Sequence, residues 1–244
     1  VRGEDHVTNS GVQIAIFEAL GAQAPRFAHH NLLIRADGEP LSKRDNPLSV
    51  RALAEDGYEP MAVAALATLV GTSHPVAPAA DLAALAATVS MGDVSRAPAT
   101  FDPAELVRLN AAIIHEMPPW QDDPREALFW TTVRKNLTFR ADAALWRARL
   151  DAEPAALRTE APLDATEKAI VASAAKALPP EPWDETTFGV WTKAVREATG
   201  AKGKALFMPL RKALTGAEAG PELGPWIRLL GRETTLARLG AATA

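Results

Sequence analysis

Cysteine is absent from this sequence. That excludes disulfides, thiol redox chemistry and cysteine-ligated zinc, and makes a reducing cytoplasm the expected compartment. Long apolar runs are missing as well. Stretches such as Met61 to Val70 are far too short to cross a bilayer, so no membrane partner is expected, and no signal peptide is expected at Val1. No glycine-rich Walker or Rossmann phosphate loop occurs, and Gly71-Thr72-Ser73-His74 lacks the second glycine of a nucleophile elbow. The five histidines, His6, His29, His30, His74 and His115, include no pair at the i, i+4 spacing of a helical metal site. No metal site is therefore expected in the chain. Positive charge is also in short supply overall: the net charge is −4 and the pI about 5.8, which argues against a general nucleic-acid binder.

The distribution of charge says something different. Between Lys193 and Lys212 the chain carries Lys193, Arg196, Lys202, Lys204, Arg211 and Lys212 against the single acid Glu197. A second cationic stretch holds Arg134, Lys135, Arg140, Arg147 and Arg149 against Asp142. Local excess of this kind supplies phosphate contacts while an acidic remainder, such as Asp151 to Asp164, limits non-specific binding. A set of solvated helix faces is the competing reading of either cluster. With 244 residues, 48% of them hydrophobic, the chain can bury a core for one large domain or two to three small ones.

Period and punctuation predict a mostly helical chain. Val12, Ile16 and Leu20 recur at i, i+4, i+8 after Ser10, read as an N-cap, and stop at Gly21 and Pro25. Phe27 to Ile34 reads as a strand leading into a loop over Gly38 to Asn46. Short helices follow over Ser49 to Asp56 and Pro60 to Val70, closed by Gly57 and Gly71, and then an Ala/Leu-rich run from Asp81 to Val89. Beyond Phe101 the helical period dominates over Pro103 to His115, Pro124 to Asn136, Ala141 to Leu150, Thr166 to Leu178, Thr186 to Thr199 and Glu233 to Leu239. The six tryptophans, Trp130, Trp146 and Trp191 among them, sit in these patterns and read as core, as do Met117 and Met208.

Two constellations could carry chemistry. Val1-Arg2-Gly3-Glu4-Asp5-His6 sets polar groups around a glycine where an apolar strand ends, a placement that suits ligand binding at the carboxyl end of a parallel strand. An arginine there can clamp a carboxylate, and an acid can accept from ribose hydroxyls. Pro40-Leu41-Ser42-Lys43-Arg44-Asp45 places adjacent cations in a loop, as phosphoryl and adenylyl transfer require where charge builds on leaving phosphates. Taken singly, each is equally an exposed turn with ordinary surface charges.

Together, Arg2-Gly3-Glu4-Asp5-His6 and Leu41-Ser42-Lys43-Arg44 resemble the second half of a class I aminoacyl-tRNA synthetase active site, the latter similar to the KMSKS signature. Phe27 to Leu33 resembles the strand before that loop in bacterial glutamyl-tRNA synthetases. Glu55 to Pro60 and Leu66 to Gly71 resemble the helices after it. Phe101-Asp102, Leu106 and Leu109-Asn110 are similar to the family's entry into its helical domain. Gly200 to Lys204, Phe207 to Arg211, Leu214-Thr215-Gly216, Gly220 to Leu223 and Leu230-Gly231 resemble its terminal signature.

The resemblance implies a remnant of an α/β nucleotide-binding catalytic domain over residues 1–46 and a helical linking domain over 47–99. Anticodon-binding helical sub-domains would follow over 100–160 and 161–244. It further implies ATP-dependent attachment of L-glutamate to tRNA(Glu) through a glutamyl-adenylate, with Mg2+, by a monomer. Carried over by position, Arg2 would contact glutamate, Asp5, Lys43 and Arg44 would bind ATP, and Lys43 would be catalytic by stabilising the phosphates. Lys193, Arg196, Lys202, Lys204, Arg211 and Lys212 are the candidate tRNA contacts. Two departures stand out. Pro40 replaces the first lysine of the loop signature, and the family's HIGH signature has no counterpart here. Adenylation by this chain alone is not expected, and a free-standing tRNA-binding or regulatory module is the alternative.

Overall fold

A computed structural model describes residues 1–35, 37–38, 49–157 and 161–244, and they form two compact units, Val1–Glu116 and Met117–Ala244. The division falls inside the segment expected to form the first anticodon-binding sub-domain.

In the first unit, β1 (Arg2–Gly3) runs through a 3-10 turn at Glu4–His6 into α1 (Val7–Ala19). The Phe27 to Ile34 stretch is not one strand. β2 (His29–His30) pairs in parallel with β1, whereas β3 (Leu33–Ile34) pairs in parallel with β4 (Ala99–Thr100). The break falls at Asn31 and Leu32, where the Asn31 side chain is buried instead of continuing a pleat. Four helices follow: α2 (Val50–Glu55), α3 (Pro60–Leu69), α4 (Leu82–Thr88) and α5 (Pro103–Glu116). Their starts match the sequence signals. Ser49 accepts from the Ala52 amide at 3.1 Å, Asp81 accepts from the Ala84 amide at 2.8 Å, and Pro60 opens α3.

The core of this unit joins Leu53 of α2, Ala62, Ala65, Leu66 and Leu69 of α3, Leu85 of α4, and Leu106 and Leu109 of α5. Burying such side chains contributes roughly 1.5–3 kcal/mol each for the leucines. Asn110, fully buried, accepts from the Glu59 amide at 2.7 Å and so satisfies a backbone donor at the start of α3. The Leu109-Asn110 pair is thus one packing group and one cap for a neighbouring helix.

Helix α1 departs from expectation. It begins at Val7, so Ser10 is no cap: it is buried within the helix, its hydroxyl 2.9 Å from His29 Nε2. The apolar series that predicted the helix does not enter this core. Val12 is 58% exposed, Ile16 53% and Leu20 78%.

The second unit contains α6 (Pro124–Val133), α7 (Ala143–Asp151), α8 (Ala165–Lys176), α9 (Thr187–Thr199), α10 (Lys204–Thr215) and α11 (Leu223–Thr243), the last bent at Gly231. Helix α10 was not apparent from periodicity, because Pro209 lies inside it and Gly203 and Gly216 bracket it. The helix holds by packing: Leu206, Pro209, Leu210, Ala213 and Leu214 are all buried.

The end of α10 is the centre of the unit. The last carbonyls of a helix lack intrahelical partners, and here side chains from elsewhere collect them. Leu214 O accepts from Trp226 Nε1 at 3.1 Å and from Arg238 at 2.7 Å, and Thr215 O accepts from Arg149 at 3.0 Å. Arg238, 1% exposed, also donates to Arg149 O, Leu150 O and Ala152 O at the end of α7. Burial pushes its guanidinium down to about 10, with Asp151 opposing that shift, so it is charged at neutral pH.

Lys212, one of the candidate tRNA contacts, is engaged inside the protein. It is buried, its ammonium 3.1 Å from Glu167 of α8 and 3.6 Å from Glu218. Arg211 is half-withdrawn from solvent too: it donates to Pro221 O at 2.8 Å, and burial lowers its guanidinium below the ordinary value.

Two outcomes follow from these contacts. Arg238→Met leaves several carbonyls buried without donors and should lower stability by about 3 kcal/mol, read as a shift in urea midpoint with unchanged slope. An unshifted midpoint contradicts the role given to Arg238. For Lys212, the Glu167 hydrogen bond raises the ammonium above its ordinary 10.5. Its contribution is then complete below pH 10.5 and is lost as pH rises through the higher folded value. Lys212→Met should lower the Tm at pH 7, with the gap to the parent closing above pH 10.5; a gap independent of pH contradicts the ion pair.

Candidate nucleic-acid interface

The Arg2-Gly3-Glu4-Asp5-His6 motif folds as a strand end followed by a tight turn. Backbone pairing fixes it: Arg2 N donates to Ala28 O at 2.9 Å, and Arg2 and Gly3 stand opposite His29 and His30. Gly3 leaves room for the Asp5 carboxylate. A Cβ there would lie 2.5 Å from Asp5 Oδ1 and 3.3 Å from Leu32, so any side chain would displace the Asp5 carboxylate. Arg2 and Asp5 are both exposed at the carboxyl end of this parallel pair, and His6 Nε2 lies 3.9 Å from Asp5. The motif presents one cation and one carboxylate on an open surface. Lys43 and Arg44, with Pro40, lie outside the described residues.

The helical cluster gives a more complete arrangement. Lys193 and Arg196 project from α9, Lys202 lies in the turn after it, and Lys204 opens α10; all four are exposed. The turn depends on Gly200 and Gly203, both at positive φ (72° and 54°), where residues with a side chain are strained. It folds the two helices so that Lys193, Arg196 and Lys202 line one open cavity of about 350 Å3. Gly189, Thr192, Leu206 and Phe207 complete the lining. No side chain caps α10, so its first backbone N–H groups add their partial positive charge at the same end.

Of the six cations singled out between residues 193 and 212, the fold therefore gathers Lys193, Arg196 and Lys202 on one cavity. It leaves Lys204 exposed beside them and turns Arg211 and Lys212 inward. The second cationic stretch is mainly structural. Arg134 donates to Met117 O, Arg147 pairs with Glu126 and lies over the Phe129 ring, and Arg149 holds Thr215 O. Sequence reasoning also passed over Trp120, which is exposed at the mouth of a cleft lined by Arg140 and Arg147. Its position immediately after Pro118-Pro119, outside any helical period, was the available signal.

Comparison with known proteins assigns families to the two parts of the chain. Residues 105–243 match a family model described as "Anticodon binding domain", and residues 1–106 match "tRNA synthetases class I (E and Q), catalytic domain". The chain is 53% identical to "Glutamate--tRNA ligase 2" of Methylobacterium sp. (strain 4-46), covering 100% of this chain and 55% of that protein. To the protein of the same name from Xanthobacter autotrophicus it is 51% identical, over 100% of this chain and 54% of the relative. Among solved structures, a glutamate tRNA ligase from Elizabethkingia meningosepticum, in complex with its amino acid, superposes with a TM-score of 0.75 at 19% identity. That match covers 99% of this chain and 56% of the other. The chain thus spans about half the length of the relatives it matches, and end-to-end similarity to ligases sets aside the free-standing regulatory module. No helix among the described residues is long and apolar enough to cross a membrane. With residues 1–106 matching the class I catalytic domain and 105–243 the anticodon-binding domain, this chain belongs to the glutamyl-tRNA synthetase family.

Proposed function

We propose that this chain is the tRNA-binding part of an enzyme that attaches L-glutamate to tRNA(Glu) through an ATP-dependent glutamyl-adenylate. The observation that carries the reading is the cavity between α9 and α10. Three cations converge on it at the uncapped start of a helix, while Arg211, Lys212, Arg147 and Arg149 nearby are consumed by internal contacts. A groove of this kind takes a phosphate backbone, and an acidic chain as a whole keeps binding confined to it.

The residues of the first unit fit one side of a nucleotide and amino-acid site. Arg2 is the residue assigned to the glutamate carboxylate, and Asp5, for which Gly3 clears the space, the one assigned to accept from ATP. Lys43 and Arg44 are the cations assigned to the ATP phosphates, with Lys43 the catalytic one. ATP would give its adenylyl group to the glutamate carboxylate with release of pyrophosphate, and Mg2+ would be held largely by the phosphates themselves. The exposed Val12, Ile16 and Leu20 face of α1 supports an assignment to a larger enzyme, whose remaining catalytic half would cover it. The enzyme is assigned to the cytoplasm, as a monomer.

The test is equilibrium binding of tRNA(Glu) to this chain over a range of salt. Changing Lys193, Arg196 and Lys202 together to alanine should weaken binding and reduce the slope of log K against log salt by about 2. An unchanged slope overturns the assignment of the groove. The chain alone should show no glutamate-dependent exchange of pyrophosphate into ATP, and measurable exchange would contradict the division of the active site.

A further inference from the structure

The six tryptophans divide by exposure. Trp130, Trp146, Trp191 and Trp226 are buried, and three of them tie their indole N–H to backbone: Trp130 to Met117 O, Trp191 to Ala174 O and Trp226 to Leu214 O. Trp183 is half-buried and donates to Pro179 O. Trp120 is 56% exposed. An indole left in water forfeits most of the large burial gain that normally keeps tryptophan inside.

Its surroundings hold it in place without covering it. Trp120 follows Pro118-Pro119, whose fixed φ angles limit its freedom. Its ring meets the edge of the buried Trp130, with centroids 4.5 Å apart and planes at 65°. The Arg140 guanidinium lies 5.5 Å from the Trp120 centroid. Beside them opens a cleft of about 280 Å3, lined further by Gln121, Phe129, Ala143 and Arg147. Arg147 is fixed there, 3.8 Å from the Phe129 centroid and paired with Glu126.

An oriented aromatic face, a neighbouring guanidinium plane and a slot with an amide at its rim match the chemistry of one kind of ligand. A nucleobase out of its stack has a flat apolar face and a polar edge, and proteins that bind single-stranded RNA meet it with aromatic and arginine planes. A free carboxylate or phosphate fits less well, because Glu126 already neutralises Arg147. We propose that this cleft takes one unstacked base from a single-stranded loop of the bound tRNA. The base lies on Trp120, with Gln121 and Arg140 as the polar groups at its edge. The site rests on the tRNA-binding reading above and adds to it a contact that is independent of phosphate charge.

The experiment compares the complete chain with Trp120→Ala and Trp120→Phe. The probes are tRNA(Glu) and a fully paired RNA duplex, with the thermal midpoint measured for each protein. Trp120→Ala should weaken tRNA binding at least about fivefold with the salt slope unchanged, Trp120→Phe should retain binding within about twofold, and duplex binding should be unaffected. As a second readout, tRNA should quench the parent's tryptophan fluorescence more than that of Trp120→Phe. Equal tRNA affinity for Trp120→Ala and parent, equal loss towards duplex, or equal quenching overturns the stacking site. If the triple cation variant weakens binding while Trp120→Ala does not, only this inference fails; if the parent chain does not bind tRNA, the functional reading fails with it.

Discussion

One buried guanidinium organises the second unit. Arg238 enters from α11 and takes carbonyls from the ends of α7 and α10, groups that a helix cannot satisfy for itself. Removing a charge from water is costly, and only several well-aligned acceptors offset that cost. The arrangement therefore tolerates little movement of α7 relative to α10. Trp226 and Arg149 bind the same α10 terminus, so the Leu214-Thr215-Gly216 motif is best understood as a shared acceptor site. Gly216 ends the helix in the left-handed conformation, φ 71°, and leaves those carbonyls accessible.

The proposed tRNA-binding surface depends on that anchoring. With its carboxyl end held by Arg238, Trp226 and Arg149, and Lys212 bound to Glu167 of α8, α10 presents its amino end against α9. The same helix thus uses its cations in two ways. Lys204 and its neighbour Lys202 stand at the positive end and face solvent, where they can meet phosphate. Arg211 and Lys212, two turns later, serve the interior. Among the described residues the first unit has no comparable closure around Arg2 and Asp5, and its α1 carries apolar residues in solvent. An open surface beside an uncovered helix face is what the proposed division of an active site requires.

Much of this was legible in the sequence, for reasons that can be named. Ser49, Asp81 and Pro60 announced helix starts, and Gly57 and Gly71, at φ 85° and 79°, announced their ends, because capping is a local matter. The resemblance to the glutamyl-tRNA synthetase family was legible because it rests on ordered short motifs. Charge counting did not reveal the internal partners of Arg211 and Lys212, nor those of Arg134, Arg147 and Arg149. Whether a cation faces water or a buried acceptor depends on partners up to 66 residues away, as with Arg149 and Thr215. Period failed for α10, where Pro209 interrupts the pattern and tertiary packing restores the helix. The apolar period of α1 was real, yet the surface it should meet is not in the described chain. Trp120 was grouped with the core tryptophans because composition cannot tell an indole that reaches the interior from one that stops at its edge.

Hydrogen exchange of backbone amides, measured with and without tRNA(Glu) and without ATP or glutamate, tests the central claim most directly. Slowed exchange concentrated between Lys193 and Phe207, with the Arg2 to His6 segment unchanged, is the result expected of a tRNA-binding part that works independently of the divided active site. Uniform exchange with and without tRNA, or protection confined to the first unit, would contradict it.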